Sequence, residues 1–194
     1  MDRRVVITGM GIYSCLGSNT LEVKDSLYAG KSGIGIDPIR MEMGFRSALT
    51  GILPKPDLKN MLNRRMRVGM GQESEFAYMA TVEALSMAKI DDEFLDSHEI
   101  GLLYGNDSTA KSVIEGIDIL RKVKDTTLMG SGTIFKSMNS TITMNLSTIF
   151  RFKGINFTIS AACASGSHAI GLGLSLIHIS EPTRLRRISY AVFC

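Results

Sequence analysis

The stretch NFTISAACASGSHAIGLG, residues 156–173, holds one cysteine between a predicted strand and a predicted helix. Residues 156–160 are predicted to form the strand, and we expect the helix to begin near Cys163 or Ala164. The small residues on both sides of the cysteine allow the chain to turn sharply and leave the sulfur accessible. The pattern therefore predicts a reachable thiol at a strand-to-helix turn.

Cys163 is a candidate nucleophile because of this position. The dipole and the free N–H groups at a helix amino terminus stabilise a thiolate, which raises its reactivity. The same N–H groups can hold an oxyanion as it develops, as at a nucleophile elbow with cysteine in place of serine. From the residues alone, a small buried cysteine in a tight turn is an equally good interpretation.

Strands and helices alternate along the rest of the chain. Residues 35–60 contain prolines at 38, 54 and 56 and are predicted to be an irregular surface excursion. The alternation predicts an α/β sheet with helices on its faces. The other predicted strands, both buried, are 4–8 and 99–104, and the other predicted helices are 20–29, 74–89, 109–123 and 136–150.

The composition is that of one globular domain. The chain has 194 residues, of which 44% are hydrophobic and 21% are charged, enough for a single core. No apolar run approaches the roughly 20 residues of a membrane-spanning helix, and Val5–Thr8 is too short for a signal-peptide core. We therefore expect a cytoplasmic protein. The net charge of +3 is too small to imply a nucleic-acid partner.

The cysteines and histidines follow no metal-binding or disulfide pattern, so we expect neither a metal site nor a disulfide framework. His168 lies five positions beyond Cys163, about 140° around a helix. It is predicted to point away from the thiol and to be a packed or hydrogen-bonded structural histidine rather than a general base. The full set is Cys15, Cys163, Cys194, His98, His168 and His178.

Two glycine motifs resemble parts of nucleotide-binding fingerprints. Gly9 and Gly11 follow a predicted strand, but the third glycine of GxGxxG is missing, so we expect a turn and no NAD. Residues 30–33, Gly-Lys-Ser-Gly, lack the earlier glycine of a P-loop and are predicted to be a structural turn.

Two segments resemble β-ketoacyl-acyl carrier protein synthases. Gly154–Gly173 is similar to the active-site segment of these enzymes, and Arg4–Ile34 is similar to their opening strand, glycine turn and helix. The resemblance covers about residues 3–173, and 131–153 is most similar to the bacterial type I/II elongating enzymes. It implies a thiolase-like α/β fold with layers in the order α/β/α. Residues 1–173 would form the amino-terminal half of that fold, so the fold would be incomplete.

The resemblance implies roles for Cys163 and Met138 and a turn position for Cys15. Cys163 matches the cysteine that accepts the acyl chain as a thioester, with a backbone N–H in the oxyanion hole. Met138 matches a position that lines the acyl pocket across a homodimer interface, although a plain core methionine is an equal alternative. Cys15 stands where relatives usually have proline, so we expect a turn residue there. No metal or organic cofactor is implied.

A basic cluster carries the expected partner site. Arg64, Arg65 and Arg67 lie just before a predicted helix, where synthases of this kind dock an acidic acyl carrier protein. Val68 departs from the pattern, because a further basic residue is common there. The alternative for the cluster is a solvated charged face.

The function implied is a 3-oxoacyl-[acyl carrier protein] synthase of fatty-acid biosynthesis, which condenses an acyl thioester with malonyl-acyl carrier protein by decarboxylative Claisen chemistry. A ketosynthase of polyketide or aryl-polyene synthesis, a thiolase and a non-catalytic chain-length-factor-like partner are the alternatives; Cys163 argues against the last. In relatives, two histidines help the decarboxylation, and these histidines and a lysine come from the carboxyl-terminal half. No histidine here matches that pair, so we expect the 194-residue chain to be inactive in condensation alone.

Residues 174–194 break the pattern, with no clear helical or strand period. LSLIHISEPTR at 174–184 and ISYAVFC at 188–194 resemble translations of a transposase-type sequencing adapter and its flow-cell primer. We expect a non-native tail here, which would remove His178 and Cys194 from the candidates. A real but divergent tail is the alternative.

Overall fold

Helices and short strands alternate in the computed structural model, which describes residues 4–179 and 190–191. Single-turn 3-10 helices lie at Thr127–Met129 and Ala162–Ala164. The elements in chain order are α1 (Thr20–Tyr28), β1 (Ile34–Ile36), α2 (Pro38–Glu42), β2 (Leu49–Gly51), α3 (Arg64–Val68), α4 (Gln72–Met87), α5 (Asp92–Ser97), β3 (Gly101–Gly105), α6 (Ala110–Val123), α7 (Gly132–Lys136), α8 (Thr141–Phe150), β4 (Asn156–Ile159), α9 (Ser165–Ile179) and β5 (Tyr190–Ala191).

A parallel sheet of the order β4-β3-β5 lies at the centre. The register places Leu102 of β3 opposite Asn156 of β4 and Gly105 opposite Ile159. Because the two strands run in the same direction and end together, the residues that follow them emerge at one edge of the sheet. That edge carries the loop after Gly105 and the turn that contains Cys163.

Helices cover both faces of β3. Leu102 and Tyr104 face an apolar cluster built with α4 and α8, whereas Leu103 points to the other side, where its Cδ1 lies beside Gly173 of α9. Leu102, Leu103 and Leu146 are fully buried, and each buried leucine contributes about 1.5–3 kcal/mol to folding through removal of apolar surface from water. The predicted α/β architecture with helices on both faces of the sheet is confirmed.

Several predicted elements are confirmed with boundaries shifted by a few residues: α1, α4, β3, α6 and β4. The start of α1 shows why the sequence signals were sufficient. The Asn19 Oδ1 atom accepts a hydrogen bond from the Glu22 N–H at 2.9 Å, which satisfies one of the free donors of the first turn. Gly30, with φ of +62°, ends the helix, and residues 30–33 form the predicted turn.

The predicted buried strand at 4–8 is wrong. These residues form no strand, and Val6 and Ile7 are 72% and 84% exposed. A strand requires a hydrogen-bonded neighbour, and among the described residues none lies beside this segment. The chain instead packs onto α4 just afterwards, where a Cβ on Gly11 would lie 1.8 Å from the Ala80 carbonyl oxygen.

Two other predictions also need correction. The helix predicted over 136–150 is α8, which begins only at Thr141, and residues 137–140 separate it from the preceding short helix α7. Serine side chains favour local bonds to the backbone over a continued helix, and Ser137 Oγ donates to the Ile134 carbonyl at 2.8 Å. Residues 35–60 are less irregular than predicted. Strands β1 and β2 pair as an antiparallel ribbon, and Pro38 begins α2 behind an Asp37 cap.

The helix α9 continues to Ile179, beyond Gly173. The predicted tail boundary between 173 and 174 therefore falls inside a helix, and the nature of the tail stays a prediction. Residues 180–189 and 192–194, which include most of the adapter-like sequence and Cys194, lie outside the described residues. Within the described part of the chain, no helix is long and apolar enough to cross a membrane.

Candidate functional site

Cys163 lies in the 3-10 turn between β4 and α9, and its side chain is exposed and unpaired by any disulfide. The predicted strand-to-helix turn is confirmed, with the α-helix beginning at Ser165. Immediately before the cysteine, Ala162 has a φ of +48°. This left-handed conformation is unfavourable for an L-residue with a Cβ, so neighbouring groups must hold the turn in place.

Ser165 is the first of these groups. Its side chain is buried, and its Oγ accepts a hydrogen bond from the Ala161 N–H at 2.8 Å and donates one to the Ala162 carbonyl at 2.7 Å. Gly105 lets this helix start approach the end of β3, because a Cβ there would lie 2.5 Å from the Gly166 nitrogen. The turn is thus fixed against the sheet on its inner side.

Asp107 holds the turn from its outer side. One carboxylate oxygen, Oδ1, accepts hydrogen bonds from the Ser160 hydroxyl at 2.5 Å and from the Ala162 N–H at 3.0 Å. The Ser160 hydroxyl, followed by the Ala162 N–H, holds the pKa of the Asp107 carboxyl below its usual value, because both bonds favour the ionised form. Asp107 therefore meets the cysteine turn as a carboxylate at neutral pH.

The same loop contacts the segment that carries Met138. The Asn106 side-chain amide donates to the Asn139 carbonyl at 2.8 Å, and the Asn139 amide donates to the Asp107 carbonyl at 3.3 Å. Thr109 Oγ1 donates to the Ser137 carbonyl at 2.9 Å. Residues 106–109 thus hold both the cysteine turn and the methionine segment, and Met138 is 40% exposed.

The three arginines of the predicted basic cluster differ in their exposure to solvent. Arg64 and Arg65 are exposed on the short helix α3. Arg67 is half-buried, and its Nε donates to the Leu62 carbonyl at 3.1 Å, so part of its guanidinium is used within the chain. Val68, the departure from the family pattern, is 45% exposed on the same helix. Arg64 and Arg65 are the members of the cluster that face solvent freely.

Cys15, His168 and Gly9 are the other residues that the sequence singled out, and none of them lies in the turn that holds Cys163. Cys15 lies in a turn closed by paired hydrogen bonds between Ser14 and Gly17, as predicted. His168 is exposed on α9, so the prediction of a packed histidine is wrong. Gly9 packs against the backbone of α4, which accounts for the missing side chain there.

Sequence reasoning missed Asp107 and Ser165. A signal for Asp107 was present, because the polar residues Asn106 and Asp107 directly follow a predicted buried strand, and parallel strands bring such ends to one edge. What the sequence did not show is that β3 and β4 are neighbours. Ser165 was treated only as a small residue that permits a turn.

The chain matches one protein family over most of its length. The family described as beta-ketoacyl synthase, N-terminal domain, matches residues 2–181. A similar curated relative is 3-oxoacyl-[acyl-carrier-protein] synthase 1 of Buchnera aphidicola subsp. Baizongia pistaciae (strain Bp), 33% identical over 181 residues. That alignment covers 92% of this chain and 44% of the relative, so the chain spans less than half the length of that protein.

Solved structures agree on the fold. A beta-ketoacyl synthase from Burkholderia phymatum STM815 superposes with a TM-score of 0.78 at 30% identity, covering 93% of this chain and 45% of that one. A type II polyketide ketosynthase, solved in complex with its acyl-carrier protein, superposes with a TM-score of 0.70 at 23% identity, covering 91% and 48%. The neighbours have the thiolase-like fold, so the expected fold class is confirmed for its amino-terminal half.

Proposed function

The chain belongs to the beta-ketoacyl synthase family, and from that premise we propose that Cys163 is the acyl-accepting nucleophile of a 3-oxoacyl-[acyl carrier protein] synthase. The observation that carries the proposal is the exposed thiol held at the start of α9, on the edge of the parallel sheet. The helix terminus favours a thiolate and offers N–H groups to an oxyanion.

The proposed first half-reaction is a thioester exchange. The Cys163 sulfur, after loss of its proton, attacks the carbonyl carbon of an acyl thioester, and the thiolate of the donor leaves as the oxyanion collapses. The acyl chain is then bonded to Cys163. In the second half-reaction, decarboxylation of a malonyl thioester gives a carbanion that attacks this carbonyl, forming a carbon–carbon bond and releasing the cysteine.

We propose that the 194-residue chain performs only the first half-reaction. Its alignment covers 44% of a full-length relative, and no histidine pair is placed beside Cys163 among the described residues, where His168 is exposed on α9. The expected result is a stable acyl-cysteine without formation of a 3-oxoacyl product when malonyl-acyl carrier protein is added.

Peptide mapping by mass spectrometry tests the nucleophile. The chain is incubated with the octanoyl thioester of N-acetylcysteamine, and the acylated cysteine is located. We expect the label on Cys163 and its loss in Cys163→Ser, while the matched control Cys15→Ser keeps it. Label on Cys15 alone, or label that persists in Cys163→Ser, would overturn the proposal. A 3-oxoacyl product from this chain would overturn the limitation to one half-reaction.

We propose that Arg64 and Arg65 dock the carrier protein. Both are exposed on α3, and complementary charges accelerate encounter with an acidic partner. The Arg64→Glu/Arg65→Glu variant should accept octanoyl from octanoyl-acyl carrier protein about ten-fold more slowly, yet react normally with the small thioester. The Lys24→Glu/Lys31→Glu variant, equal in charge change on and after α1, is the control. Equal loss with both donors would contradict docking.

The same comparison of donors addresses the thiolase alternative. A thiolase uses coenzyme A, so the arginine variant of a thiolase would not react more slowly with the carrier-protein donor alone.

We also propose that Met138 lines the acyl pocket and that the whole protein pairs as a homodimer across it. Met138 is partly exposed on the segment held by the loop that holds the cysteine turn. A bulkier residue there should slow acylation by long chains more than by short ones.

A further inference from the structure

We propose that Asp107 is a positioning residue for Cys163, holding the turn before the cysteine in the conformation that presents the thiol to an acyl thioester. The inference rests on the proposed role of Cys163. Asp107 does not touch the thiol in this arrangement; it acts through Ser160 and Ala162, which both donate to its Oδ1 atom.

The first argument is the backbone of Ala162. This residue directly precedes Cys163 and has a φ of +48°, a conformation that costs an alanine roughly 1–2 kcal/mol. Both of its polar backbone atoms are bonded to side chains: its N–H donates to Asp107, and its carbonyl accepts from Ser165. The two bonds fix the peptide planes on either side of the strained residue.

The second argument is that Asp107 is itself held. The Asp107 carbonyl accepts from the Asn139 side chain, and the N–H of the preceding residue, Asn106, donates to the Ile159 carbonyl at 3.0 Å. The carboxylate is thus fixed relative to the end of β4. An exposed aspartate on a free loop could not impose a conformation on a turn that lies more than 50 residues further along the chain.

A comparison with Asp125 separates this role from ordinary loop chemistry. Asp125 Oδ1 also accepts from one backbone N–H and one hydroxyl, at 2.9 and 2.8 Å, but both belong to Thr127, two residues away. Its bonds close a local turn between α6 and α7. Asp107 joins two segments that are distant in sequence, one of which carries the candidate nucleophile. Asp125 is therefore a matched control with the same donor types.

The bonds require an acceptor oxygen rather than a full negative charge. Asparagine keeps such an oxygen at the Oδ1 position, so Asp107→Asn should retain the geometry, and Asp107→Ala should lose it. Ser165 would still hold the inner side of the turn in either variant, so the fold should persist. The pair of variants therefore separates positioning of the turn from general loss of structure.

The test measures two reactions of Cys163 in the 194-residue chain. Acylation by the octanoyl thioester needs the thiolate and the oxyanion-binding N–H groups in one geometry, whereas alkylation by iodoacetamide needs an accessible thiolate but no oxyanion donors. We expect Asp107→Ala to slow acylation about ten-fold and to leave alkylation within about two-fold of the unmodified chain. Asp107→Asn should restore most of the acylation rate, and Asp125→Ala should change neither reaction.

Four results would count against the inference. Unchanged acylation in Asp107→Ala would overturn it, as would an equal fall in both reactions together with a lower thermal midpoint, which would indicate a merely structural role. Failure of Asp107→Asn to restore acylation would overturn the hydrogen-bond mechanism. If the unmodified chain acylates Cys15 and not Cys163, the proposed nucleophile fails first and the role of Asp107 falls with it.

Discussion

The amino-terminal segment 4–12 and the cysteine segment 156–166 resemble the same family, yet they are built differently. Residues 156–159 form a strand because β3 lies beside them and supplies the hydrogen-bond partners. Val6 and Ile7 have equal or greater β-propensity but are largely exposed and form no strand. A sequence of high β-propensity forms a strand only where a neighbouring strand supplies hydrogen-bond partners for its backbone.

The two segments also differ in what holds them. The amino-terminal segment is bonded to side chains of one helix, α4: Glu83 accepts from the Ile12 N–H at 3.0 Å, and Met87 Sδ accepts from the Met10 N–H at 3.3 Å. Glu83 also accepts from the N–H of Thr20, at the start of α1, at 2.7 Å. The cysteine turn is held from two sides, by Ser165 and Asp107. These bonds therefore tie the amino-terminal segment to one element, α4, and the cysteine turn to two parts of the fold, α9 and the loop after β3.

The largest expected effect contrasts the sheet with residues 4–8. Leu102→Ala should lower the free energy of unfolding by about 2–5 kcal/mol, because it removes a fully buried side chain and leaves a cavity. Ile7→Ala removes an 84% exposed side chain and should cost less than about 0.5 kcal/mol. Urea denaturation measures both. A similar loss in the two variants would show that residues 4–8 are buried in solution.

A smaller effect is expected where α9 meets the sheet. Gly105→Ala places a Cβ 2.5 Å from the Gly166 nitrogen and should cost about 1–3 kcal/mol, because backbone must move to admit it. Gly171→Ala in the same helix meets nothing within 4 Å and should stabilise by about 0.5–1 kcal/mol. Thermal denaturation of both variants provides the comparison, and a neutral Gly105→Ala would mean that α9 does not contact the end of β3 closely.

The sequence was sufficient wherever the determining contacts are local. The extent of α1, the glycine turn at position 30 and the turn around Cys163 all depend on residues within a few positions of each other, and all were predicted. The order of the strands is not local information. It decides whether residues 4–8 are buried and whether Asp107 reaches the turn, and neither could be obtained from one sequence.

The residues of the candidate site also differ in whether local sequence or distant contacts identify them. Cys163 was found because its neighbours are small and lie between a strand and a helix, which is visible in eleven consecutive residues. Asp107 bonds a turn more than 50 residues away in sequence, and Arg67 differs from Arg64 in its partial burial and in its hydrogen bond to the Leu62 carbonyl. Such distinctions depend on packing, which residue type and spacing do not encode.

A further test concerns Glu83, which bonds both the amino-terminal segment and the start of α1. Glu83→Gln replaces one acceptor oxygen by an amide N–H₂ that faces backbone donors, so at least one bond to Ile12 or Thr20 is lost, at a cost of about 1 kcal/mol. Faster hydrogen exchange of those two amides, without faster exchange in β3, is the expected result. Glu115→Gln, on the exposed face of α6, should leave exchange unchanged. Accelerated exchange throughout would contradict a local role.

The smallest expected effect is the loss of stability contributed by two carboxylates as pH falls. Glu22 lies in α1, close to the amino-terminal segment, and Asp107 holds the cysteine turn. Two hydrogen bonds from Ser18 lower the pKa of Glu22 below its usual 4.5, and the bond from the Ser18 N–H has the larger effect. The bond from the Ser160 hydroxyl lowers the pKa of Asp107 below its usual 3.8. A carboxyl with a lower pKa when folded stabilises the fold above its unfolded pKa, and that stabilisation is lost as pH falls through the folded pKa.

Both contributions should therefore be fully present near neutral pH and should disappear below about pH 4. Both groups are exposed, so the effect on stability is small, and the direct measurement is the titration of the two carboxyl carbons by NMR. Because Asp107 bridges distant segments, Asp107→Asn should also shift the amide resonances of Ser160 and Ala162, whereas Glu22→Gln should shift only those of its own helix start. An Asp107 carboxyl that titrates at or above its usual value would contradict the bonds that hold the cysteine turn.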